Sequence, residues 1–373
     1  MRQMRTNDSW KEAKNILCIR LDSLGDVLMT TPAIRALKEF NPARKITLLT
    51  SNAGARVAAL IPEISQTVIY NAPWMKATKL RSDSSQEHKM AAQLRHAGFD
   101  AAVIFTVFSQ NPLPAALLAY LADIPLRLAY CRENPYQLLT DWAFEADPGP
   151  GQQVRHEVRR HLDLVAKVGC HTQDESLSIC VPASAERSIR KIVYKCGLDL
   201  NAPWVVIHPG ASAPSRRYRP DGFARAAYDL IVNHGIQVVF TGSLSERSLV
   251  QEIQSQIDAP SISEAGYLKV DQLAALLALA PLLISNNTGP VHIAAAVGTP
   301  VIDIYALTNP QHTPWGIPYR LLYHDVPCKF CYKSICPMVH HNCLRLVTPE
   351  SVVQAALELL EETRLLRTGI QVT

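Results

Sequence analysis

The chain has 373 residues, more than one hydrophobic core of ordinary size accommodates, so two domains are expected. Apolar residues at 48% against 19% charged describe a globular protein with ample core and exclude a disordered, collagen-like or disulfide-scaffold chain. A formal charge of +4 is too small an excess to point to nucleic acid.

In chain order, residues 1–14 carry Arg2, Arg5, Lys11, Glu12 and Lys14, and no apolar segment of signal-peptide length follows. The first apolar stretch, 16–19, is cut off by Arg20 and Asp22. With no apolar run of about 18 residues anywhere, the expectation is a cytoplasmic chain without a membrane-spanning helix. Nine cysteines in a chain of this size read as thiols in a reducing compartment.

Short β-branched runs at 15–20, 45–50, 67–70 and 101–105 alternate with helical stretches at 31–40, 85–97 and 113–122. A charged helical stretch at 154–168 closes this half, and a polar helical segment at 183–195 reads as the connection. Strands restart at 204–208, 237–241, 282–285 and 299–305, with helices at 223–234, 244–257, 270–279 and 289–297 between them. Apolar strands separated by helices predict parallel sheets covered on both faces. The chain therefore reads as α/β: two doubly wound units in tandem, 1–182 and 183–348, and a last helical segment, 349–373. Two such units facing one another put a ligand cleft at the carboxyl ends of their strands.

Several phosphate and catalytic signatures are missing. There is no G-x-G-x-x-G after the first strand, no P-loop, no G-x-S-x-G elbow and no H-E-x-x-H. No Asp-x-Asp occurs to hold a divalent ion on a diphosphate.

Three segments carry chemistry. After the first strand come Asp22, Ser23, Leu24, Gly25 and Asp26, then Thr31 and Pro32. Gly25 permits close backbone approach, and Asp26 fits two roles: a helix cap, or a carboxylate that accepts a proton from an alcohol. Thr31 as N-cap with Pro32 at N1 would instead start the helix later and leave Asp26 in a loop. In the second half, His208-Pro209-Gly210-Ala211-Ser212 leads to Arg216, Arg217 and Arg219, either an anion clamp or a solvated basic loop. The third segment runs Asn286-Asn287-Thr288-Gly289-Pro290-Val291-His292. Asn287 or Thr288 can cap a helix whose free N–H groups suit a diphosphate, and His292 one turn in is more often a core histidine than a ligand.

Together these segments resemble glycosyltransferase family 9, the heptosyltransferases. The family's Ser-x-Gly-Asp-Val-Leu and Thr-x-Pro-Ala match Ser23–Leu28 and Thr30–Ala33. Its Pro-Gly-Ala-x-x-Pro-x-Lys-Arg-Trp is similar to Pro209–Tyr218, and its Asn-Asp-(Ser/Thr)-Gly-x-x-His-x-Ala-Ala to Asn286–Ala295. The resemblance implies a GT-B fold, two Rossmann-like domains with an interdomain cleft, the acceptor on the first, the nucleotide-sugar donor on the second, and a last helix crossing back.

It further implies inverting transfer of heptose from ADP-heptose to a lipopolysaccharide-core or similar glycan, lipid-linked or soluble, with no metal or other cofactor in catalysis. A chain of this kind would work in the cytoplasm at the inner face of the membrane, touching it through the acceptor and binding no nucleic acid. By carry-over Asp26 is the base, with Ser23 and Gly25 on the acceptor side. Ser212, Arg216, Arg217, Asn287, Thr288, Gly289 and His292 hold the donor, and Thr241-Gly242-x-x-x-Glu246 resembles a segment near the nucleotide.

Two departures stand out: Asn287 where the family has Asp, and Arg216 where it has Lys. They leave open a different nucleotide-sugar and acceptor, or a sugar-nucleotide-binding protein without catalysis. Finally, Cys328, Cys331, Cys336 and Cys343 fall within sixteen residues, a set that would hold a structural zinc or simply bury four thiols.

Overall fold

The computed structural model describes residues 6–76, 78–145 and 155–368; what was expected of residues 1–5, 154 and 369–373 lies outside them. By its internal contacts the chain divides into two compact units, 1–180 and 181–373.

The first unit runs α1 (Thr6–Glu12), β1 (Asn15–Arg20), α2 (Leu24–Phe40), β2 (Lys45–Thr50), α3 (Asn52–Ala58), β3 (Gln66–Ile69) and α4 (Ser85–His96). It continues with β4 (Ala101–Ile104), α5 (Leu113–Leu121), β5 (Leu126–Tyr130), β6 (Asp141–Ala143) and α6 (Glu157–Ala166). All its strands are parallel, in the order β3-β2-β1-β4-β5-β6. Leu17 and Ile19 of β1 pack with Met90, Leu94, Ala115 and Ala119 of α4 and α5, while Ile16 and Cys18 are buried as completely on the opposite face. Burial on both faces explains why these strands read as continuous apolar runs.

The second unit runs α7 (Ala183–Lys195), β7 (Trp204–His208), α8 (Pro220–Val232), β8 (Gln237–Phe240), α9 (Arg247–Gln254), β9 (Ile262–Ser263) and α10 (Val270–Leu279). Then follow β10 (Leu283–Asn286), α11 (Gly289–Val297), β11 (Val301–Ile304), β12 (Tyr319–Leu322), α12 (Asn342–Arg345) and α13 (Pro349–Thr368). Its parallel sheet, β12-β11-β10-β7-β8-β9, repeats the topology of the first. Val352, Val353, Ala356 and Leu359 of α13 enter the core of this unit beside Phe240, Ile284 and Ile304.

Both orders are those of a doubly wound dinucleotide-type sheet, and in each the direction of winding reverses once, at β1/β4 and at β7/β10. The loops leaving those strands are where such sheets bind ligands, and the first unit's carboxylates and the second unit's arginines stand on them.

Candidate functional site

In the first unit β1 delivers Arg20, fully buried, to the switch point. Helix α2 starts at Leu24, not at Thr31, because Ser23 at N-cap and Asp26 at N3 form a capping box. The Ser23 N–H donates to Asp26 Oδ2 at 3.0 Å and the Ser23 hydroxyl to the same oxygen at 2.6 Å. Pro32 thus lies inside the helix, where it has no N–H for the Leu28 carbonyl; the Thr31 hydroxyl donates to that carbonyl instead, at 2.7 Å. Asp26 is a cap, but its second oxygen accepts from Arg20 Nη2 at 3.2 Å and its side chain remains 16% exposed. Capping and surface access therefore coexist at one carboxylate.

Arg20 holds more than Asp26. Its Nε stands 3.3 Å from Asp22 Oδ2 and its Nη1 3.7 Å from Glu157 Oε1. Glu157 in turn faces Arg160 and His161, each at 3.1 Å. Burial pushes the Glu157 carboxyl up, but His161, Arg160 and Arg20 outweigh it and hold it well below the usual range. Asp22 has only Arg20 and the Gln110 amide, which donates at 2.5 Å. There burial wins over Arg20, with Asp26 adding to it, and the carboxyl is pushed up to about 6. Asp22 was passed over by the sequence reading, although it stands in the first motif as a second acid beside a strand end.

In the second unit the switch-point loops are tied together. Asn286 Nδ2 donates to Pro209 O at 2.6 Å, and Asn286 Oδ1 accepts from the Tyr218 N–H at 2.9 Å. Arg216 is half-buried, its guanidinium 5.7 Å from the Tyr305 ring centre. With the Asn309 amide turned so that its nitrogen donates to Thr308 O, its oxygen accepts from Arg216 Nη2 at 3.1 Å. Arg217 is exposed and donates to the backbone of its own loop, to Ala211 O at 2.7 Å. Ser212 beside it is exposed. Arg219 points elsewhere, pairing with Asp221.

Thr288 is the N-cap of α11 with no side-chain cap bond, and Thr288 and Gly289 are half-buried. His292 is buried in the first turn of α11. Asn287 does not cap. Its amide donates to Asp303 Oδ2 on β11 and to His312 O, both at 2.9 Å. The carboxyl missing at position 287 therefore stands one strand away, at Asp303. That carboxyl is fully buried with Oδ1 unpartnered, and burial pushes it up to about 7 against the Asn287 bond and the Arg216 charge. A charged residue inside the apolar run 299–305 was the sequence signal for it.

Glu246 heads the turn into α9 in a second capping box. Its Oε2 accepts from Ser243 N and Ser243 Oγ, both at 2.7 Å. His208 Nε2 lies 3.9 Å away, and His208 Nδ1 is 3.0 Å from Thr241 Oγ. A Cβ on Gly210 would sit 2.0 Å from Glu246 Oε1, so any larger residue there displaces that carboxylate.

The cysteine loop packs against the second unit's arginine loop: the Ser215 hydroxyl donates to Lys333 O at 2.6 Å and the Ser215 N–H to Ser334 O at 3.1 Å. Cys328 Sγ lies 3.8 Å from His340 Nε2, and burial raises the Cys343 thiol. Among the described residues, these thiols included, no group of three or more His, Cys, Asp or Glu is arranged to hold a metal ion. No helix among the described residues is long and apolar enough to cross a membrane.

The sequence model of the family described as glycosyltransferase family 9 (heptosyltransferase) matches residues 87–341, more than half of the chain. The chain belongs to glycosyltransferase family 9. Lipopolysaccharide heptosyltransferase 2 of Salmonella typhimurium is 25% identical over 360 residues, covering 93% of this chain and 99% of that protein. Two solved structures share the two-unit GT-B architecture. The family 9 glycosyltransferase of Veillonella parvula has a TM-score of 0.77 at 23% identity, covering 94% of this chain and 97% of that one. The ADP-heptose LPS heptosyltransferase II of E. coli has a TM-score of 0.73 at 22% identity, covering 94% and 99%.

Proposed function

We propose that the chain transfers a heptose from ADP-heptose, with inversion, to a hydroxyl of a lipopolysaccharide-core or similar glycan. The observation that carries this reading is the repeated topology with unlike chemistry: Asp26 at the first switch point, Arg216 and the α11 N-terminus at the second. The names borne by the Salmonella and E. coli relatives support the donor and acceptor class.

In this mechanism the acceptor oxygen attacks the anomeric carbon, its proton passes to Asp26, and the bond from that carbon to the diphosphate breaks. Ser23 and Gly25 shape the acceptor loop around the base. The charge that builds on the departing ADP is met by Arg216, Arg217 and the N–H groups at Thr288–Gly289. Ser212, Glu246, Asn287 and His292 stand around the nucleotide. No step calls for a divalent ion, since fixed cationic and N–H donors supply its positive charge. The acceptor domain would comprise 1–182 and the donor domain 183–348; the helix that follows packs by Val352, Val353, Ala356 and Leu359 into the core of the donor unit. An acceptor carried on a lipid would bring the enzyme to the inner face of the cytoplasmic membrane.

The decisive experiment measures nucleotide release from ADP-heptose and other nucleotide-sugars by the parent and Asp26→Asn. The expected result is ADP-heptose preference, with kcat lowered on the order of 10²–10⁴-fold in the variant and donor affinity retained. Unchanged turnover in Asp26→Asn removes the base from the mechanism. Preference for another sugar nucleotide, with the same loss, retains the mechanism and reassigns the donor.

A further inference from the structure

At the switch point of the first unit lies a cavity of about 290 Å³ formed between the loop after β1, the loop after β3, the loop after β4 and the start of α5. Its walls are largely apolar: Leu21, Trp74, Met75, Phe105 and Pro114. Its polar lining comprises Asp22, which accepts from Gln110, with Thr106, Ser109 and Asn111. Both Asp22 oxygens already have a partner, Arg20 Nε and Gln110 Nε2, which fixes the carboxylate while leaving lone pairs for further donors. Among the described residues no Lys, Arg or His lines the cavity. The guanidinium behind Asp22 is fully buried and already faces Asp22, Asp26 and Glu157.

These features select an occupant. A phosphorylated or carboxylated ring would bring its charge to a carboxylate with no free cation in the wall. A hydrocarbon tail would strip water from Asp22, Gln110 and Asn111 and return no hydrogen bond. A ring with hydroxyls on its edges and C–H groups on its faces satisfies both walls, since an aromatic side chain accepts the apolar face.

We propose that this cavity is the acceptor subsite and takes one uncharged sugar ring, packed against Trp74 and held through a hydroxyl by Asp22. The proposal rests on the glycosyltransferase reading and narrows its acceptor class. Asp26 faces the same guanidinium as Asp22, at 3.2 against 3.3 Å, which ties the cavity's polar wall to the base. Asp22 is on this account a substrate-positioning residue.

The test uses the full chain and two probes, phenyl α-mannopyranoside and its 6-carboxylate, titrated by calorimetry, with ADP-heptose titrated on the same samples. The neutral glycoside is expected to bind, with the carboxylate weaker by about tenfold or more. Asp22→Asn and Trp74→Ala should each weaken the neutral probe by about tenfold and leave ADP-heptose affinity as in the parent. Trp74→Ala does not touch the Arg20 cluster, so it keeps the test alive if Asp22→Asn fails to fold. Equal or tighter binding of the carboxylate, no binding of the neutral probe, or variants that bind it as the parent does would overturn the proposal. Loss of ADP-heptose binding in the parent, with the glycoside still bound through Asp22, would instead sink the donor reading and leave the cavity assignment standing.

Discussion

The two units use the same small device for different ends. Ser23 with Asp26 and Ser243 with Glu246 are both capping boxes after a strand of a doubly wound sheet. Asp26 turns its other oxygen to a buried arginine at 3.2 Å, whereas Glu246 faces His208 at 3.9 Å, a histidine whose pKa burial lowers against the pull of Glu246. The contrast sharpens among the fully buried acids. Glu157 has Arg20, Arg160 and His161 around it and is held well below the ordinary range, while Asp303 has an asparagine and is pushed up to about 7. A buried carboxyl thus follows its count of close cations, not its burial alone. The first unit concentrates charge on one guanidinium, and the second keeps its interior acid free of a close cation.

The largest break in this comparison comes from the cation itself. Arg20→Met leaves Asp22, Asp26 and Glu157 without their shared partner, and losing one member of a buried ionic cluster costs about 3–5 kcal/mol. Denaturant unfolding should show that loss at pH 8. A change under about 1 kcal/mol would mean that solvent, not Arg20, balances these acids.

Asp303 should behave in the opposite sense. Its folded pKa of about 7 lies above its ordinary 3.8, so its contribution is fully present below about pH 4 and is lost as pH rises through about 7. The span corresponds to a stability on the order of 4 kcal/mol. Glu157, held low, adds stability above its ordinary 4.5 and loses it on acidification. Melting curves of the parent and Asp303→Asn between pH 5 and 8 isolate the first effect. The variant should lack the decline and be at least as stable as the parent at pH 8. Parallel pH profiles would show that Asp303 does not titrate there.

Arg216→Ala should weaken ADP binding by about 1.5–3 kcal/mol, the worth of a charged hydrogen bond, and lower turnover with it because the same charge meets ground and transition states. Its guanidinium is already placed by Tyr305 and Asn309, so little ordering accompanies binding. Calorimetry with ADP reads the effect directly. Unaltered affinity would make 216–219 a basic loop and nothing more.

Much of this was legible in the sequence because the strands are buried on both faces. Residues 16–19 of β1 and 204–207 of β7 appear as unbroken apolar runs, β2 and β10 as short apolar stretches with single polar residues, and Gly298, with φ of 81°, ends α11 as its glycine suggests. The strands that were missed carry a polar interruption or are too short to show a period. β5 contains Arg127 and β12 Arg320, while β6 and β9 have three and two residues. Helix α1 is polar and is anchored by one buried side chain, Trp10. Pro32 misplaced the start of α2, because a threonine hydroxyl compensating for a proline leaves no periodic mark. The site followed the same division. Motif residues could be read along the chain, but Asp22 against Gln110 and Asn287 against Asp303 are contacts across 88 and 16 positions, which spacing does not reveal.

The smallest effect tests whether Glu246 acts through position rather than through charge alone. Gly210 has no positive φ, so alanine suits its backbone, yet the added Cβ would lie 2.0 Å from Glu246 Oε1 and 2.2 Å from its Cδ. The carboxylate must therefore move off Ser243, which weakens a capping box worth about 0.5–2 kcal/mol. If Glu246 contacts the nucleotide, the same movement weakens ADP binding severalfold while the charge stays on the chain. Gly210→Ala and Glu246→Ala then act on one interaction, and the double variant should bind ADP no worse than Glu246→Ala alone. Additive losses would mean that Gly210 serves the nucleotide by its own close backbone approach. In that case Glu246 would be only the cap of α9, unlike Asp26, whose cap and base functions are proposed to coincide.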